Sequence, residues 1–254
     1  MRKISLYILI FCTIMITSCQ TTGNKSSPAV LHFSWRIAGV LPSSNNGSPF
    51  GLAGPVTGVS NDKLFIGGGA NFPTGFPWNG GKKVYHDSLY VFEKQHDSLI
   101  ALRHVYKLPY PLAYSANCPT DEGIVAAGGE NENGIFNKVL RITWDNRTQK
   151  PAVSFLPYLP LSLTNSAIAF YDHKIYIAGG QSGSCVSNKF YCLDLKDTSA
   201  GWETLPDLPH PVSHAVLYVQ GNANGDECIY LVGGRQEHKD SISDLYKEVY
   251  QFDL

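Results

Sequence analysis

The sequence predicts an all-β fold, a β-propeller of four-stranded blades set around an axis, on three observations. A short apolar run ending in a glycine pair occurs four times, as Lys63-Leu-Phe-Ile-Gly-Gly-Gly69, Gly123-Ile-Val-Ala-Ala-Gly-Gly129, Lys174-Ile-Tyr-Ile-Ala-Gly-Gly180 and Cys228-Ile-Tyr-Leu-Val-Gly-Gly234. The closing glycines, Gly69, Gly129, Gly180 and Gly234, stand 60, 51 and 54 residues apart. A repeat of about 50 residues is one supersecondary unit, which buries its apolar faces only by stacking on its neighbours. The pattern flanking each glycine pair repeats too, and no window after the first few residues carries a helical period.

Each unit resolves into four strands. The glycine-pair run is followed by a polar stretch and then by an apolar-aromatic run at residues 86–92, 137–144, 188–195 and 245–252. A run ending in Leu-Pro comes next, at 106–109, 154–157 and 202–209, and a small-residue run such as 166–170 opens the following unit. Short β-branched and aromatic segments split by Gly, Pro, Asn and Asp are the chemistry of strands and tight turns. Residues 33–42 have the Trp-to-Leu-Pro shape of a fourth strand with no first three before them, and no such run follows residue 252. They are therefore expected to pair beside 245–252, so that one N-terminal strand closes the last of four blades and covers two open edges at once.

The amino terminus reads as an address. Arg2 and Lys3 precede an apolar stretch at 4–16 that is too short to cross a bilayer as a mature helix. The stretch runs into Ile16-Thr17-Ser18-Cys19, which resembles a bacterial lipobox. Residues 1–18 are expected to be a lipoprotein signal peptide, Cys19 the lipidated residue, 19–32 a polar tether and 33–254 the propeller. An ordinary cleaved secretory signal is the alternative, and either places the body outside the cytoplasm, on the periplasmic or cell-surface side. Lipidation would make the N-terminal anchor the only membrane contact.

Composition excludes several classes. Twenty basic residues against 21 acidic ones leave a net charge of −1, which gives no nucleic-acid footprint. Cys118, Cys185, Cys192 and Cys228 lack the paired spacing of a zinc site and the histidines do not cluster with them, so no metal is expected. Cys192 and Cys228 fall in expected strands and read as buried thiols, while a disulfide through Cys185 stays open in an oxidising compartment.

Glycine pairs closing a strand at this period resemble kelch-type propellers. The stretch Gly58-Val-Ser-Asn-Asp-Lys-Leu-Phe-Ile-Gly-Gly-Gly-Ala-Asn-Phe72, followed by Asn79-Gly-Gly-Lys-Lys-Val-Tyr85 and Leu89-Tyr-Val-Phe92, is similar to the N-acetylneuraminate epimerase (sialic acid mutarotase) family, in its cyclically permuted branch. The resemblance covers residues 33–254 and implies a six-bladed ring, of which this sequence supplies four blades. It implies interconversion of the α and β anomers of sialic acid without a cofactor, with a sugar acid as the partner. The family's acid/base glutamate belongs to a Gly-Glu motif with an arginine six residues on. Here Gly129-Glu130 is the nearest match, and Phe136 stands six residues beyond it. A chain lacking the catalytic blade, acting as a non-catalytic carbohydrate- or protein-binding module, is the alternative. A copper-radical oxidase on a similar ring is disfavoured, because no Tyr/His/Cys ligand set is evident.

In a four-stranded blade the second strand ends on the face where the first begins, so residues after each glycine pair converge with the starts of the inner strands. That face is expected to gather Asn71, Lys82, Lys83 and Tyr85 from the first blade, Glu130 and Asn131 from the second, Gln181 from the third and Arg235 from the fourth. Tyr114, Asn165 and His214 join them from the inner strand starts. Glu130 is the candidate base, since opening a pyranose removes a proton from the anomeric hydroxyl and gives one to the ring oxygen. Arg235 suits a carboxylate by its planar fork, although a salt bridge to Glu237 or Asp240 competes. Phe72, Phe76 and Trp78 crowd one loop, as a sugar platform or a lid would.

Overall fold

A computed structural model describes residues 34–42 and 51–254. The expected signal peptide, Cys19 and the whole of the tether lie outside the described residues, and among the described residues no helix is long and apolar enough to cross a membrane. The compact unit is Ile37–Leu254, and it is the four-bladed, all-β arrangement the sequence predicts.

The first blade is Val56–Ser60, Lys63–Gly67, Ser88–Gln95 and Ser98–Ala101, with Tyr106–Lys107 also on its third strand. The second is Ala116–Thr120, Gly123–Ala127, Val139–Asp145 and Lys150–Leu156, and the third is Ala167–Tyr171, Lys174–Ala178, Phe190–Asp194 and Glu203–Leu205. The fourth has three strands, Val216–Gly221, Glu227–Val232 and Val249–Asp253. All neighbours are antiparallel. The polar stretch after each glycine pair is not loop throughout. It folds back as a two-stranded hairpin, such as Glu130–Asn131 with Gly134–Ile135.

The blades stack face to face. Phe65 and Leu89 of the first blade pack with Ile124, Leu140, Ile142 and Trp144 of the second. Val125 and Val139 pack with Ile175 and Leu193 of the third, whose other face sets Ala169, Tyr176 and Phe190 against Leu217, Ile229 and Leu231 of the fourth. Each such aliphatic or aromatic side chain is worth about 1.5–3 kcal/mol when fully buried.

The glycine pairs are clamps between blades. The second glycine donates its amide to the next blade, Gly69 to the Leu112 carbonyl at 2.8 Å, Gly129 to Leu163 at 2.7 Å and Gly180 to Val212 at 2.8 Å. Gly128 shows why the residue type is fixed. Its φ is +66°, and a Cβ there would stand 2.1 Å from the Leu163 oxygen.

A second series of bonds links the inner turns. Tyr114 donates its amide to Gly54, Asn165 to Tyr114 and His214 to Asn165, at 2.8, 3.0 and 3.0 Å. All four residues are left-handed, with φ of 59° at Gly54, 57° at Tyr114, 54° at Asn165 and 56° at His214. Three non-glycine side chains held in this sparsely populated region line one mouth of the arrangement, a pattern more usual of sites than of scaffolds.

The expected N-terminal closure does not form. The Ala38 carbonyl accepts the Leu99 amide at 2.7 Å, which sets Ala38 against Ser98–Ala101 at the outer edge of the first blade, with Leu41 and Pro42 near Leu52 and Tyr90, not beside 245–252. Gly39 permits this approach, since a Cβ there would lie 2.7 Å from the Leu99 oxygen. The physical reason is that Leu99 turns an amide to the outer edge of the first blade, where the Ala38 carbonyl satisfies it. Leu245 belongs instead to the hairpin Arg235–His238 with Ser241–Leu245, and among the described strands Val249–Asp253 has one neighbour.

Candidate functional site

The hairpin after the first glycine pair, Ala70–Asn71 with Val84–Tyr85, carries Lys83 and Tyr85 to the second blade's Glu130. Glu130 itself is fixed by a backbone bridge to Ala113, with amide–carbonyl bonds of 2.9 and 3.0 Å in the two directions. Lys83 Nζ donates to Glu130 Oε1 at 3.0 Å and Tyr85 Oη donates to the same oxygen at 2.7 Å. Neither bond uses Oε2. The Lys83 ammonium also sits over two rings, 4.8 Å from the Tyr85 centroid and 4.4 Å from that of Tyr114.

Charge in this cluster is held in place. Burial pushes the Glu130 carboxyl up, but the hydrogen bonds from Tyr85 and Lys83 and the Lys83 charge outweigh it and bring its pKa below the ordinary carboxylate value. Burial opposes the Lys83 charge as well, yet the bonds to Tyr85 and Glu130 prevail and raise its pKa. Burial and then the bond to Glu130 raise Tyr85. The result is an ionised carboxylate and a protonated amine at neutral pH.

A second group occupies the third and fourth blades on the same side. Asn165 Nδ2 donates to Gln181 Oε1 at 3.1 Å, Gln181 Nε2 donates to Glu237, and Arg235 is ion-paired with that same Glu237. A cavity of about 320 Å³ opens beside Gln181 and Glu237, bordered by Cys185, Lys239 and Ser243. His214 hydrogen-bonds the Ser213 hydroxyl at 3.1 Å, and burial followed by the Arg235 charge lowers its pKa.

The candidates therefore separate. Lys83, Tyr85, Glu130 and Tyr114 come together, and Gln181, Asn165 and Arg235 form the neighbouring group. Lys82 is exposed. Asn131 faces the protein, 6% exposed, donating to the Pro111 carbonyl at 2.9 Å and accepting from the Asn133 amide at 2.8 Å, so it braces a turn instead of meeting a ligand. Asn71 is similarly engaged, with Oδ1 3.0 Å from His86 Nε2. Arg235 is committed to Glu237, which weakens its claim on a substrate carboxylate. The salt bridge to Glu237 that competes for Arg235 is the one that forms, while Thr164 went unread in the sequence. Thr164, whose hydroxyl contributes to lowering Glu130, was legible only as the residue preceding a left-handed one.

The loop between the hairpin strands holds a stacked pair, Phe76 on Trp78, with centroids 4.8 Å apart and planes 5° from parallel. The rings are 61% and 77% exposed, and the turn beneath them is wound by bonds from Asn79, Gly80 and Gly81 to Phe76 and Pro77. Cys118, Cys185, Cys192 and Cys228 are all free.

A family model for the kelch motif matches residues 162–209, the third unit. The chain is 30% identical over 164 residues to the Kelch repeat and BTB domain-containing protein 2 of Ectromelia virus, covering 61% of this chain and 27% of that protein. It is 35% identical over 102 residues to the N-acetylneuraminate epimerase of Yersinia enterocolitica, covering 37% of this chain and 25% of the epimerase. The chain thus spans about a quarter of the length of the curated relatives it matches. The solved structure of YjhT superposes with a TM-score of 0.63 at 13% identity, over 81% of this chain and 69% of that one, a likeness of fold. Motif, strand order and glycine clamps agree: the chain carries a kelch-type β-propeller arrangement of four blades.

Proposed function

We propose that the face bearing Glu130 binds a sugar acid of the N-acetylneuraminate type and interconverts its anomers, outside the cytoplasm and tethered by lipid on Cys19. The observation that carries the reading is Glu130 itself, a carboxylate kept ionised by Lys83 and Tyr85 with Oε2 outside both bonds. Glu130 takes the proton of the anomeric hydroxyl, the ring oxygen receives one from a donor such as the Tyr85 hydroxyl, and closure on the other face of the carbonyl returns both. Lys83 is the cation nearest this point for the substrate carboxylate, and the Phe76–Trp78 pair offers an apolar surface to a pyranose. The partial identity to an N-acetylneuraminate epimerase supports the substrate class.

The test is anomer exchange of N-acetylneuraminate followed by proton NMR. The chain is expected to accelerate exchange, and Glu130→Gln to slow it at least about a hundredfold, the size of a positioned acid/base group. Acceleration untouched by Glu130→Gln rejects Glu130 as the base, and no acceleration rejects catalysis. One observation favours a second reading, a binding module without turnover: Phe136 stands where the resemblance asks for an arginine. Saturable binding of the sugar acid without exchange would establish it.

The tether is tested separately. Cys19→Ala is expected to abolish labelling by a fatty acid and move the protein out of the membrane fraction, because the thiol is the acylated group. Unchanged labelling would reject it.

A further inference from the structure

Tyr114 is held more firmly than a turn between blades requires. Its backbone is left-handed, with φ of 57°. The amide donates to the Gly54 carbonyl at 2.8 Å, and the Tyr114 carbonyl accepts from the Asn165 amide at 3.0 Å and from the Thr164 hydroxyl at 3.3 Å. The ring is seated as well. Gly54 lies directly behind it, and a Cβ there would stand 2.4 Å from Tyr114 Cδ1 and 2.8 Å from Cε1. A ring packed on bare backbone, on a residue pinned from both sides, has its direction fixed.

What the ring meets is Lys83. The Lys83 ammonium stands 4.4 Å from the Tyr114 centroid, closer than the 4.8 Å to that of Tyr85. Lysine carries a compact charge on a flexible stem, and this one leaves from the edge of a two-residue strand, Val84–Tyr85. Left to itself, such a stem lets the ammonium wander into water. Rings on two sides draw it back, because an aromatic face attracts a cation. They leave it 3.0 Å from Glu130 Oε1. The titratable groups acting on Glu130 are Lys83 and Tyr85, with the Thr164 hydroxyl beside them, while Tyr114 acts on Lys83.

We propose that Tyr114 is a positioning residue, whose ring holds the Lys83 ammonium against Glu130 and so keeps the carboxylate ionised and aimed. The inference rests on the reading of Glu130 as the base. Tyr114 itself touches neither the sugar nor the proton. The role needs the ring and not the hydroxyl, and it works through Lys83.

Three variants of the full chain separate ring, hydroxyl and backbone. Tyr114→Phe keeps the ring and Tyr114→Leu removes it. Tyr114→Asn removes it too and suits the left-handed turn, since Asn165 stands at the same place in the next blade with φ of 54°. Carbon-13 NMR of the Glu130 side chain is followed through a pH titration in each. The carboxyl is expected to titrate higher in Tyr114→Leu and Tyr114→Asn, and the conservative Tyr114→Phe is expected to rescue the wild-type midpoint. Lys83→Met is the background that tells positioning from a merely structural role: there, Tyr114→Leu is expected to move the midpoint no further. Exchange of N-acetylneuraminate anomers is expected to fall about tenfold without the ring, short of the loss in Glu130→Gln, and its acid limb to move with the Glu130 midpoint. A midpoint unmoved in both ring-less variants, a Tyr114→Phe that shifts it as far as they do, or an undiminished shift in the Lys83→Met background would each overturn the inference. No exchange by the wild type would reject the catalytic reading, and the midpoints would still decide whether Tyr114 holds Lys83.

Discussion

Gly128→Ala is expected to lower stability by about 2–5 kcal/mol, combining a left-handed penalty of about 1–2 with overpacking of about 1–3. The added Cβ meets the Leu163 carbonyl, the group that accepts the Gly129 amide at 2.7 Å, so the clamp between the second and third blades loosens as well. Urea unfolding reads the effect as a fall in midpoint. Gly183→Ala is the control, since Gly183 is also left-handed, at φ +62°, but has nothing within 4 Å of its would-be Cβ. It is expected to cost only the conformational part. Equal costs at the two sites would show that the blade contact contributes nothing.

The second large effect is electrostatic. Glu130 titrates below its ordinary value of 4.5, so its pairing contributes stability that is fully present above that value and lost as pH falls through the lower, folded one. Lys83→Met removes a hydrogen bond and the neighbouring charge and leaves burial opposed by the bonds from Tyr85 and Thr164. The Glu130 carboxyl is then expected to titrate higher than in the wild type, and the stability its ionisation contributes above its ordinary value shrinks. Carbon-13 NMR of the Glu130 side chain follows the titration directly. A midpoint that does not move in Lys83→Met would mean that the ion pair does not govern the carboxylate, and the proposed base would lose its physical basis.

Much of the fold was legible because it is repeated. The glycine pairs fixed the second strands to within a residue or two, and the aromatic runs located the third. The hairpins after the glycine pairs were hidden because two-residue strands such as Glu130–Asn131 carry no alternation. The outer strand Ser98–Ala101 was hidden behind the Leu-Pro signal at 108–109, which marks a turn beyond it. Residues 33–42 misled for a related reason. Their Trp-to-Leu-Pro shape is that of a fourth strand, but sequence shape does not choose between two open edges. At the site, convergence on one face was readable from topology. The pairing of Glu130 with Lys83 and Tyr85 was not, because the partners stand 47 and 45 residues away on another blade.

The series of bonds from Gly54 through Tyr114 and Asn165 to His214 makes the four blades a one-dimensional array, in which each unit is stabilised by itself and by its immediate neighbours. Among the described residues the second and third blades have two such neighbours, the first and fourth one each. Unfolding in such an array begins at its ends. Amide exchange is expected to be fastest in Val249–Asp253 and slowest in Gly123–Ala127 and Lys174–Ala178, with Glu130 anchored on the slow side of that gradient.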